Sequence, residues 1–142
     1  MSRQPKIIDP DFDINRLDPR FRRLLDGTVK DNRIACVQVF EIVKQVPITL
    51  SDAGKALDTL GIRLTHCQLG LFGYQPEKKI VQPIADPEPG LSEAIRSAAE
   101  GDVLSCRRCW ELASEGGVPK MRISGICETL GIRIKPCQLG AF

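Results

Sequence analysis

The sequence predicts an all-α fold of tandem tri-helical modules, with room for a short β wing or strap in the linker between them. Three observations lead there. The chain repeats itself, apolar residues recur at helical spacing within each copy, and glycines and prolines stand where such helices must end.

Shifting the 142-residue chain by 70 positions lays residues 60–70, LGIRLTHCQLG, on residues 130–140, LGIRIKPCQLG, with three differences. The same ungapped shift places Cys36 on Cys106, Phe40 on Trp110, Glu41 on Glu111, Thr59 on Thr129 and Phe72 on Phe142. A match of this length marks a duplication, with a repeated unit of about 52 residues. The expected organisation is an irregular lead-in at 1–18, a first module at 19–72, a linker at 73–90 and a second module at 91–142.

Taken in order, the first helix is expected at 19–25, with Asp18 as N-cap, Pro19 in the first helical position and Gly27 beyond its end. Its copy spans 91–99. The second helix is expected at 32–45, where Ile34, Val37, Phe40 and Val43 recur on one face; Pro47 stops it, as Gly116 and Gly117 stop its copy. At the position of Val37 the second copy carries Arg107. A third helix at 51–60 turns Ala53, Ala56, Leu57 and Leu60 inward, matched by Ile123, Ile126, Cys127 and Leu130. Gly61 and Gly131 are placed as C-terminal caps, where a positive φ costs glycine least. A short last helix is expected from Thr65 in one copy and from Lys135 and Pro136 in the other. Between the copies, Pro76, Pro83, Pro87 and Pro89 read as an extended strap in which Ile80, Val81 and Gln82 could form an edge strand.

Helix, short turn, helix, Gly-hydrophobic turn, short helix is the order of a helix-turn-helix unit. Residues 46–70, VPxxxxxxGxxLDxLGIRLTHCQLG, resemble bacterial helix-turn-helix and winged-helix regulatory domains, and residues 118–140 do so more loosely. The resemblance implies a non-enzymatic, DNA-binding regulatory protein. It would turn Thr65, His66 and Gln68 toward the major groove of double-stranded DNA, with Lys135 and Gln138 doing so in the second copy, and place Lys78 and Lys79 in a phosphate-contacting wing. The alternative is a protein-interaction or metal/redox-responsive accessory module that uses cysteine thiols.

Cys106 and Cys109 form a CxxC, and on a helix the two thiols share a face. With Cys127 and Cys137, at spacings of 2, 17 and 9 residues, they would make a four-thiolate set for zinc or an iron–sulfur cluster. Against this, Cys109 and Cys127 fall on Val39 and Leu57 in the other copy, where a buried thiol serves as a small hydrophobe. Cys36/Cys106 and Cys67/Cys137 are kept in both copies, as packing thiols at a tight crossing or as a reversible dithiol.

No catalytic constellation is present. His66 is the single histidine, and HExxH, GxSxG and GxxxxGK[ST] are all missing. A net charge of +2 neither requires nor forbids a nucleic-acid partner, since a local patch can be far more basic than the average. The chain offers no secretory signal and no 18-residue apolar run, so a cytoplasmic protein without a membrane span, with free rather than disulfide-bonded cysteines, is expected. Two cores this small must pack together or draw stability from a homodimer or a protein partner.

Overall fold

The computed structural model describes residues 10–141; the first nine residues of the lead-in, and the pairing of Phe72 with Phe142 across the repeat, lie outside them. The chain is mostly helical rather than all-α. A 3-10 turn at Ile14–Arg16 precedes α1 (Pro19–Thr28), β1 (Arg33–Ala35), α2 (Cys36–Gln45), α3 (Leu50–Leu60) and β2 (Arg63–Thr65). The same order follows 70 residues on: α4 (Pro89–Ala98), β3 (Val103–Leu104), α5 (Cys106–Gly116), α6 (Lys120–Leu130) and β4 (Arg133–Ile134). β1 pairs in parallel with β2, Ile34 opposite Leu64, and β3 with β4, Leu104 opposite Ile134. Each parallel pair is closed by a two-helix crossover, as a parallel connection requires.

The local signals explain most of these boundaries. Asp18 caps α1 by accepting from the Arg20 N–H at 2.9 Å. The helix then runs through Gly27, which meets nothing nearby, and ends at Thr28 rather than at 25. α2 starts four residues later than its periodicity predicts. Asp31 and Asn32 take positive φ, turning the chain so that the next three residues join β2 instead of a helix. That shift moves the buried face to Cys36, Val39 and Ile42, leaves Phe40 and Val43 at its margin, and exposes 41% of Val37. The arginine at the equivalent position of the second half is thereby explained. α3 is capped by Thr49, whose hydroxyl accepts from the Asp52 N–H at 3.0 Å. At its other end Gly61 takes φ +69°, letting the Ile62 N–H return to the Leu57 carbonyl; Gly131 and Ile132 do the same after α6.

The expected last helix is absent from both halves. After β2, His66 takes φ +50° and the chain folds into a tight turn, Cys67 N–H to Phe72 carbonyl and Gly70 N–H to Cys67 carbonyl. Four residues closed by a left-handed glycine offer no room for helix propagation. The linker strand is also absent: Ile80 and Val81 both donate to the Gly70 carbonyl, and the strap then follows α6, where Ile84 and Thr129 exchange hydrogen bonds of 2.8 and 2.7 Å.

The repeated turns position everything else, because each packs into the core of the opposite half. Phe21, Leu25, Ile34, Val39 and Leu57 of the first half close over Leu139 and Ala141, whereas Ile95, Leu104, Leu112, Ile123 and Ile126 close over Cys67, Leu69, Leu71 and Val81. The two contacts are chemically matched. The Leu139 carbonyl lies so close to Gly54 that a Cβ there would stand 2.1 Å from it. At the equivalent position Ser124 donates its hydroxyl to the Leu69 carbonyl at 2.7 Å. Equivalent rings also meet: Phe40 of α2 stacks on Trp110 of α5, centroids 4.2 Å apart. Equivalent residues touch one another only around an approximate twofold axis, which therefore passes between α2 and α5. Among the described residues no helix is long and apolar enough to cross a membrane.

Candidate functional site

On the first half, the end of α1, the turn after it and the parallel strand pair enclose a groove of about 510 Å³. Lys30, Arg33 and Arg63 line it together with Thr65, His66 and Tyr74. Its placement follows from the pairing: Arg33 and Arg63 stand opposite each other in register and both are exposed. None of the three cations has an ion-pair partner among the described residues. Two like charges side by side repel one another, so an anion in the groove would relieve a cost already present in the fold. Thr65 and His66 are hydrogen-bonded at 2.9 Å, and His66 stands edge-on to the Tyr74 ring at 5.1 Å. The Tyr74 hydroxyl donates to the Cys67 carbonyl at 2.6 Å, tying the wall of the groove to the turn beneath it.

The second half has no such groove chemistry. Glu100 and Val103 stand where Lys30 and Arg33 do, Pro136 replaces His66, and Arg133 faces Asp102 at 3.8 Å. Arg108 is engaged by Glu111 and Glu115. Duplication copied the scaffold and left the cationic surface on one side.

Of the seven residues expected to face nucleic acid, Thr65 and His66 line the groove and the others do not. Gln68 is half-buried, its backbone N–H directed at the Cys36 thiol. Gln138 donates from its side-chain amide to the Cys106 sulfur at 3.5 Å, so it faces inward. Lys78 is exposed on the reverse turn it forms with Tyr74, and Lys79 is held by Glu128 at 2.7 Å. Lys135 is exposed at the end of β4, on the half without the groove. Lys30, Arg33, Arg63 and Tyr74 were not singled out from the sequence; only the arginine shared by both copies of the LGIR motif hinted at them.

The cysteine set expected from the CxxC is divided. Cys109 and Cys127 are buried in the second core and hydrogen-bond to each other, which, with burial, pushes the Cys109 thiol up. Cys106 is buried in that same second core, whereas Cys137 packs against the first. Burial first, then the nearby Cys67, Cys137 and Cys106 thiols, pushes Cys36 up to about 12; burial raises Cys106 to about 11 despite the hydrogen bonds from Gln138. The Cys137 sulfur accepts from the Leu139 N–H at 3.4 Å. Among the described residues no three His, Cys, Asp or Glu side chains converge as the ligands of a single ion would.

No family model matches the chain, and neither the curated proteins nor the solved structures provide a match to it.

Proposed function

We propose that the protein is a non-catalytic, nucleic-acid-binding regulator that grips the phosphate backbone of double-stranded DNA in the groove of its first half. The observation that carries this reading is the set of three cations without an ion-pair partner among the described residues, Lys30, Arg33 and Arg63, around a groove that also presents Thr65, His66 and Tyr74. Cations so placed release counterions when they meet phosphate, and hydroxyl and imidazole groups add directed hydrogen bonds. Each half has a leading helix followed by a helix pair, the order that helix-turn-helix regulatory domains use, and we read the halves as tandem tri-helical modules of that kind. The third helix is not the reading element in this proposal. α3 buries Ala53, Gly54, Ala56 and Leu57, and the end of the other half covers it at Gly54. The strand-edge groove is the part of the module left open.

Binding of a mixed duplex pool at low salt, followed by fluorescence anisotropy, tests this. Wild-type protein is expected to bind, and the triple variant Lys30→Ala/Arg33→Ala/Arg63→Ala to lose about tenfold in affinity, at roughly 0.5 kcal/mol per exposed charge. No binding by wild-type protein, or equal binding by the variant, would overturn the proposal.

A further inference from the structure

The geometry assigns a second site at the junction of the halves: Cys36, Cys67, Cys106 and Cys137 together hold a [4Fe–4S] cluster on the approximate twofold axis. This goes beyond the nucleic-acid reading and does not depend on it.

The placement argument starts from α2 and α5. Cys36 and Cys106 open these helices, four residues before Phe40 and Trp110, so each thiol shares a helix face with the ring that stacks across the axis. Both thiols are therefore directed toward the same axis. Cys67 and Cys137 are delivered to it by the exchanged turns: Cys67 is buried with Cys106 in the second core, and Cys137 packs against the first core that contains Cys36. Of the six cysteines, these four alone obey the repeat. Packing does not ask for cysteine at all four positions of two independently altered copies, as Val39 in place of Cys109 and Leu57 in place of Cys127 demonstrate.

The surroundings suit an anionic sulfur group. Two helix N-termini point their positive ends at it. Backbone or side-chain N–H groups of Gln68, Leu69, Leu71, Gln138 and Leu139 are directed at the four sulfurs. Hydrogen bonds to sulfur are what tune such clusters. The four thiols lie near enough to act on one another, Cys36 feeling Cys67, Cys137 and Cys106, and among the described residues they do not converge as the ligands of a single ion would. A cubane keeps its four cysteine ligands on four separate corners, one to each iron. Its insertion is a ligand exchange without electron transfer: each cysteine S–H replaces one thiolate of a preformed, small-thiol-ligated [4Fe–4S] cluster, and its proton leaves with the departing thiol.

The test is anaerobic incubation of the full chain with such a preformed cluster, followed by desalting, iron and acid-labile sulfide analysis, and the visible sulfide-to-iron absorption. About four iron and four sulfide per chain are expected. Cys109→Ala/Cys127→Ala is expected to load as wild type does. Cys36→Ser is expected to lose the cluster. Because Cys137 is only partly buried, Cys137→Ser is expected to keep the wild-type helical circular dichroism while losing at least half the iron. Iron below about 0.1 per chain in wild-type protein, full loading of natively folded Cys137→Ser, or loss of loading in the Cys109/Cys127 variant would overturn the assignment.

Discussion

Single atoms decide how closely the halves approach. Gly54 and Ser124 occupy equivalent positions, yet one admits a backbone carbonyl by having no side chain and the other binds it through a hydroxyl. Gly54→Ala should therefore cost about 1–3 kcal/mol or more through overpacking against Leu139. Ser124→Ala should cost about 1–3 kcal/mol by leaving the buried Leu69 carbonyl without its donor. Urea unfolding of both variants checks the pair, and a neutral Gly54→Ala would contradict the described contact. The buried thiols make a separate prediction about pH. Cys36 and Cys106 are pushed from 9.0 to about 12 and about 11, so the folded chain keeps them protonated where the unfolded chain ionises. Their contribution is intact below pH 9 and is lost as pH rises through those values. Thermal melts of the metal-free protein should show an alkaline decline that becomes shallower in Cys36→Ala/Cys106→Ala; an unchanged slope would count against thiol burial as its cause.

At the level of elements, much of the helical pattern was readable and the strands were not. Caps at Asp18, Gly61 and Gly131 act as their residue types predict, because capping is local chemistry. Strands of two or three residues leave no period to detect, and β1 took the start of α2 with it, displacing the buried face from Val37 to Cys36 and Val39. The exchange of the terminal turns was equally hidden. An exact repeat is identical whether each turn returns to its own half or crosses to the other. That exchange predicts a crossed response: Leu139→Ala should expose amides of α1–α3 to hydrogen exchange more than those of α4–α6, and Leu69→Ala the reverse. Burial of either leucine implies a cost of about 2–5 kcal/mol for its removal. Loss of protection confined to the half that carries the substitution would contradict the exchanged arrangement.

For the molecule as a whole, duplication built a near-symmetric scaffold and then allowed its surfaces to diverge. The thiols stayed with the axis, where both copies are constrained alike. The cations stayed with one face, where Lys30, Arg33 and Arg63 meet only after folding brings two strands about 30 residues apart into register. Sequence spacing could not reveal that patch, and it favoured Lys79, which the fold pairs with Glu128. The salt dependence of duplex binding measures the central claim most directly. The slope of log affinity against log salt should fall by about 0.9 for each groove cation removed, hence by about 2 in Arg33→Ala/Arg63→Ala, while Lys79→Ala and Lys135→Ala leave it nearly unchanged. A slope unaffected by the two arginines, or carried by Lys79 and Lys135 instead, would contradict the groove as the site of nucleic-acid binding.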